Sequence, residues 1–151
     1  MRISSKVECG IIALIDIAVN SNGDANSNIV KVNAISKRNN ISTKYLEQII
    51  PLLKQANFLR SVKGAGGGYV MARDPANITL DEVVNALDNT ILSPSVSSEK
   101  LEPVATAAIA ECLWDPVNDY LRKFSEKLTL KDLTDKYSEM QNEQTELMYY
   151  I

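Results

Sequence analysis

The sequence predicts a mainly α-helical chain with one small β-hairpin. Three observations carry that expectation. Apolar residues recur at helical spacing through most of the chain, hydroxyl side chains stand where helix N-caps are needed, and two short strand-like runs flank the glycine cluster KGAGGG at 63–68. With 151 residues, 45 % of them hydrophobic, the chain is long enough to close a core as one domain, or as a small domain with an appendage.

The elements come in a simple order. Ser5-Lys6-Val7-Glu8 fits a capping box, and Val7, Ile11, Leu14, Ile15 and Ala18 then keep helical spacing until Asn20 to Asn28, with Gly23, closes the helix. A short helix is predicted around Val32 to Arg38, then a turn at Asn39-Asn40-Ile41-Ser42. A longer helix runs from Thr43 to about Ala56, with Ser42 as its N-cap. Leu46, Ile49, Leu53 and Ala56 form its apolar stripe, with Tyr45, Ile50 and Leu52 on the flanks; Pro51 removes an amide donor and is expected to bend or shorten it.

Phe58 to Lys63 and Tyr69 to Ala72 read as strands with the glycines between them. A phosphate-binding loop places its glycines between a strand and a helix N-terminus, whose amides hold the anion; no helix begins here, and the glycine spacing matches no nucleotide fingerprint. A hairpin with a glycine tip explains the residues better. Helix, short helix, turn, helix and hairpin is the order of a winged helix-turn-helix, in which the helix after the turn enters the DNA major groove. The basic stem, Arg60 and Lys63, and a tip without bulky side chains suit a narrow minor groove.

Beyond Asp74, Thr79-Leu80-Asp81-Glu82 is a second capping box, with Ile78 and Val83 placed as a hydrophobic staple, and its helix is expected to end near Asn89. Residues 90–103 are rich in Ser and Pro and read as a flexible loop. From about Val104 the series Ile109, Leu113, Val117, Tyr120, Leu121, Phe124 and Leu128 marks a helix too apolar for one side of a monomer, kinked or restarted at Asp115-Pro116. Thr129-Leu130-Lys131-Asp132 starts a last helix, and the sequence closes on MYYI. This divides the chain into a DNA-binding unit at 1–89, the loop, and a unit for dimerisation at 104–151.

Composition narrows the function classes. No uninterrupted apolar run approaches the roughly 18 residues of a membrane-spanning helix, and IIALIDIAV carries Asp16 inside it, so a soluble, unexported, cytoplasmic protein is expected. Two cysteines 103 positions apart give no zinc spacing or disulfide framework, and the absence of histidine removes the usual metal ligand and general base. Neither supports an enzyme or a bound cofactor. The net charge of −3 divides into +5 over residues 1–74 and −8 over the rest, which points to a polyanion-binding first half, with scattered solvated charge as the plainer reading.

The run ISTKYLEQIIPLLKQANFLRSVKGAGGGYVMARDPANITLDEVVNALD, Ile41 to Asp88, together with the opening MRISSKVECG, resembles the Rrf2 family of bacterial transcriptional regulators. The resemblance covers roughly residues 1–90, and YLEQ, the glycine-rich wing and ITLDEVV carry it. It implies that Ser42, Thr43, Lys44, Tyr45, Glu47 and Gln48 form the reading segment, with Glu47 and Gln48 at base edges and Lys44 at phosphate. It also places Lys63, Gly64, Ala65 and Gly66 at the wing tip, and Ser5 and Lys6 at an N-terminal phosphate contact. Leu46 reads as core, and Tyr45 stands between core packing and DNA contact. The family dimerises through its long helix, which assigns Leu113, Trp114, Val117, Tyr120, Leu121 and Phe124 to the two-fold interface, on a palindromic operator in double-stranded DNA.

Members that hold an iron-sulfur cluster carry three cysteines in the span corresponding to Asn89 to Trp114, and this chain has only Cys112 there. The resemblance then points to the family's repressors of cysteine metabolism, which need no cluster and work with cysteine synthase, an enzyme that accepts a C-terminal isoleucine of another protein in its active site. Tyr149, Tyr150 and Ile151 read either as such an exposed tail or as packing on the protein's own dimer. The alternatives are a repressor sensing oxidants or nitric oxide through Cys9 or Cys112, each of which also reads as a packing residue, and an interaction module that does not bind DNA.

Overall fold

The computed structural model describes residues 3–21, 29–91 and 100–150. Its helices are α1 (Ser5–Asn20), α2 (Val32–Asn39), α3 (Thr43–Gln55), α4 (Leu80–Leu87), α5 (Pro103–Ile109), α6 (Asp115–Lys127) and α7 (Leu130–Tyr149). Strands β1 (Leu59–Val62) and β2 (Gly68–Met71) form one antiparallel hairpin in which Leu59 faces Met71 and Val62 faces Gly68. The predicted fold class is the observed one.

Local chemistry accounts for the helix starts. Ser42 Oγ accepts from the Tyr45 amide at 3.1 Å, and Asn40, in the left-handed region at φ 54°, closes α2 and turns the chain into α3. Thr79 and Glu82 cap each other's backbone at the start of α4, and Thr129 and Asp132 do the same for α7. These two boxes meet: Thr79 and Thr129 form an isolated antiparallel bridge, flanked by Leu80 N–H donating to Leu128 O at 2.8 Å and Leu130 N–H donating to Ile78 O at 2.9 Å. The end of α6 is thereby tied to the start of α4.

The core is one cluster. Leu14 and Ile17 of α1, Leu46, Ile49 and Leu53 of α3, Phe58, Ile78, Val83 and Leu130 are all buried together. Leu46 lies in it, as read from the sequence. Helices α1 and α4 approach closely at Gly10, where a Cβ would collide with the Leu87 side chain.

One expectation is corrected and three elements are defined more closely. The cap of α1 is Ser4, whose Oγ accepts from the Val7 amide at 3.3 Å, so Ser5 and Glu8 do not form the box. Helix α3 continues through Pro51 to Gln55; the amide that Pro51 lacks would have bonded the carbonyl of Glu47, and both residues lie on the exposed face. A new α-helix, α6, does begin at Asp115-Pro116, but it follows α5 through a π-helical turn, Ala110–Trp114, with Asp115 N–H bonding Ala110 O. Helix α7 runs to Tyr149, so the exposed residues of the MYYI end up to that point are helical. The predicted closing segment at 22–28, most of the flexible loop (92–99) and Ile151 lie outside the described residues.

The π turn has a geometric reason. Ile109, Leu113, Val117 and Leu121 succeed one another at intervals of four, and on an unbroken α-helix each interval drifts about 40° around the axis. A π turn absorbs one extra residue and rotates the downstream helix back by about 100°. The series therefore stays on one face, and Phe124 joins it. Widening the turn also relieves the clash of the Pro116 ring with the carbonyl four residues earlier.

Candidate nucleic-acid interface

Helix α3 has two faces. Leu46, Ile49, Ile50 and Leu53 are buried, whereas Ser42, Thr43, Lys44, Glu47 and Gln48 are exposed. Among the described residues Lys44, Glu47 and Gln48 form no side-chain hydrogen bond or ion pair within the protein, so their donors and acceptors are free for a ligand. Ser42 is different, because its hydroxyl is engaged as the cap.

Tyr45 lies at the junction. It is half-buried against the core, and its hydroxyl meets Ser5 Oγ at 3.2 Å, joining the first turn of α1 to the first turn of α3. The displaced cap explains this: with Ser4 holding the helix amide, the Ser5 hydroxyl is available to Tyr45. Ser5 is thus a brace within the protein, and Lys6, half-buried beside it, is the cation of that edge.

The wing is built on backbone geometry. Gly67 N–H donates to Gly64 O at 2.9 Å, and Gly64 sits at φ +112°, where side chains are strained. Around Gly64 and Gly66 the space is open, so the tip with Ala65 presents bare backbone to solvent, flanked by exposed Arg60 and Lys63. The next two glycines serve the fold: a Cβ on Gly67 would strike the carbonyls of Val62 and Gly64, and one on Gly68 the carbonyl of Val30. Val30 and Tyr69 exchange two backbone hydrogen bonds, at 2.9 and 2.8 Å, which fasten the wing to the segment entering α2. Sequence reasoning missed this bridge, since Val30 lies in no strand-like run. We expect Gly67→Ala to leave the melting temperature within a few degrees, as loop-tip changes do, yet to weaken duplex binding at least about tenfold, since the tip cannot keep its turn. Fluorescence anisotropy checks it, and full affinity would show that the wing adapts.

Two arginines that sequence reasoning passed over hold the frame. Arg38 donates from Nε and Nη2 to both Asp16 oxygens at 2.9 and 2.6 Å, and Asn39 Nδ2 adds a third bond at 2.7 Å, locking α2 to α1. Arg73, just beyond β2, lies over the Phe58 ring at 5.8 Å and reaches Glu82.

Of the cysteines, Cys9 is half-buried on α1, where burial and then the neighbouring Glu8 carboxylate push its thiol up, away from the thiolate a redox sensor needs. Cys112 is exposed on the π turn. The assigned interface residues lie on one helical surface: Leu113, Trp114, Val117, Tyr120 and Phe124 are exposed and Leu121 is half-buried. Among the described residues no helix is long and apolar enough to cross a membrane.

Known proteins share this frame. Residues 3–136 match the Rrf2 family, described as an iron-dependent transcriptional regulator. The chain is 30 % identical over 135 residues to the HTH-type transcriptional regulator IscR of Escherichia coli O1:K1 / APEC, spanning 89 % of this chain and 81 % of that protein. The solved structure of CymR (YrzC), the global cysteine regulator of B. subtilis, superposes with TM-score 0.74 at 29 % identity, covering 90 % of this chain and 98 % of that one. T. potens IscR superposes at 0.70 with 27 % identity, covering 93 % and 91 %. These relatives are regulators, not enzymes.

The donors present do not suit iron held by thiolates. The sequence has two cysteines and no histidine, Cys9 and Cys112 sit on different elements, and no group of three potential ligands comes together among the described residues. The family match nonetheless runs from residue 3 to residue 136, from the first helix through the wing to α7, and on that ground the chain belongs to the Rrf2 family of transcriptional regulators.

Proposed function

We propose that the chain represses transcription as a homodimer on a two-fold symmetric operator, with α3 in the major groove, the wing in the minor groove, and target genes in cysteine or sulfur metabolism. The apolar stripe of α5 and α6 supports the dimer: Tyr120 is 72 % and Phe124 57 % exposed, beside exposed Leu113, Trp114 and Val117, and contiguous exposed apolar side chains of this kind mark an interaction surface. Glu47 and Gln48 read base edges, while Lys44, Arg60 and Lys63 neutralise phosphates. Likeness to the B. subtilis cysteine regulator, joined to a donor set too small for a cluster, supports sulfur metabolism as the target. Such a repressor works in the cytoplasm, where its operator is. Cysteine synthase is the proposed partner of the exposed α7 end, Leu147 to Tyr150, which would meet it as a helix with Ile151 beyond.

The test begins by selecting duplexes from a random library and measuring affinity across salt concentrations. A palindromic consensus and a steep salt dependence are expected, and Lys63→Ala should flatten the slope by about one unit, the loss of one phosphate contact. Salt-independent or absent duplex binding would favour an interaction module instead. An unchanged slope in the variant would remove the wing from the interface.

A further inference from the structure

Two residues, Thr79 and Arg73, converge on one carboxylate. Glu82 Oε2 accepts from the Thr79 amide at 2.9 Å and from the Thr79 hydroxyl at 3.2 Å, while Glu82 Oε1 accepts from Arg73 Nη1 at 3.1 Å and Nη2 at 3.2 Å. Arg73 also donates to the carbonyl of Asn77 and lies over the buried Phe58 ring, at the root of β1. One residue earlier, Ala72 N–H donates to Phe58 O at 2.9 Å, closing the base of the hairpin. On the other side Thr79 bridges Thr129, and Leu80 bonds the last carbonyl of the α6 end, Leu128.

We infer that Arg73 and Glu82 are positioning residues for DNA recognition: their fork fixes the angle of the wing relative to the α6 end, so that each wing meets its half of the operator, although neither side chain touches DNA. The inference rests on the reading that the wing contacts DNA. Two strands of four residues form a marginal unit alone, and the Val30–Tyr69 bridge ties them to the segment entering α2 rather than to α6, so the Arg73–Glu82 link is what relates the root of the wing to the α6 end. The carboxyl is held for this role. Burial pushes Glu82 up, but the Thr79 amide and Arg73 outweigh it and bring the group below its usual range, so it is charged at neutral pH.

Glu82→Gln separates this role from simple stability. Glutamine still accepts from the Thr79 amide, as capping boxes allow, but offers Arg73 no charge. The experiment is a double-mutant cycle on the full chain, with a duplex selected by the wild type as the probe and thermal melting measured alongside. Lys63→Ala should weaken wild-type binding, Glu82→Gln should weaken it about fivefold with little change in melting, and Lys63→Ala should cost markedly less in the Glu82→Gln background than in the wild type. Arg73→Lys, which keeps the charge and loses the fork, should recover only part of the binding that Arg73→Gln forfeits. Full multiplication of the Lys63 and Glu82 effects, or a Glu82→Gln protein with wild-type affinity, overturns the inference. If Lys63→Ala is silent in the wild type, the wing reading itself fails and the inference goes with it.

Discussion

Arg38→Met is expected to lower the melting temperature by about 6–12 °C, the equivalent of about 3 kcal/mol for a chain of this size. Asp16 is only 6 % exposed, and it lies on the second-last turn of α1 among Ala13, Leu14 and Ile17, all buried. A carboxylate there tolerates removal from water because three donors face it, and two of those belong to Arg38. Methionine keeps the volume of the stem and takes both donors away, leaving Asn39 alone with a buried charge. The half-exposed guanidinium moderates what is lost in Coulomb energy, but the stranded carboxylate is the larger cost. Pairing Arg38→Met with Asp16→Leu should recover most of the loss, since the stranded charge goes as well. Scanning calorimetry on the single and double variants decides the matter; a single variant within about 2 °C of wild type would mean that the pair contributes no more than a surface one.

Phe124→Glu is expected to halve the mass in solution and to weaken operator binding by about 10²–10⁴, the factor gained when two half-sites are engaged together. At a position 57 % exposed, glutamate costs the folded monomer little, and the protein keeps its helical circular dichroism. In a two-fold interface the same residue appears twice, so each substitution places two carboxylates in an apolar seam. Light scattering together with duplex titration tests it. An unchanged mass would move the dimer contact away from α6, and an unchanged affinity at half the mass would mean that one chain suffices on DNA.

Features legible in the sequence are local ones. Ser42, Thr79 and Thr129 are readable as caps because the bond partner lies within four residues, and the hairpin is readable because the glycines and strand-like runs adjoin. Even there one hydroxyl deceives: Ser4 and Ser5 are both competent caps, and the partner that Ser5 takes instead, Tyr45, lies forty positions away. The Asp16–Arg38 pair spans 22 positions and the Arg73–Glu82 fork joins a strand exit to a helix start, so neither can be deduced from periodicity. Among the interface residues, exposure on α3 was foreseeable from its apolar stripe. The division of the wing glycines into bare tip, Gly64 and Gly66, and close-packed base, Gly67 and Gly68, was not, because composition carries no information about which carbonyl a missing Cβ would meet.

The π turn at Ala110–Trp114 has a consequence for chain length. An α-helix ordinarily forbids single-residue gain or loss, since everything downstream swings to a new side. Here the extra residue is already stored as slack in one wide turn, and a chain lacking it would close that turn into ordinary α-helix with Leu121 and Phe124 still on the same flank. The same deletion made within α6 would carry Phe124 about 100° around the axis. The π turn is therefore the place where this helix tolerates the loss of one residue without turning its apolar face.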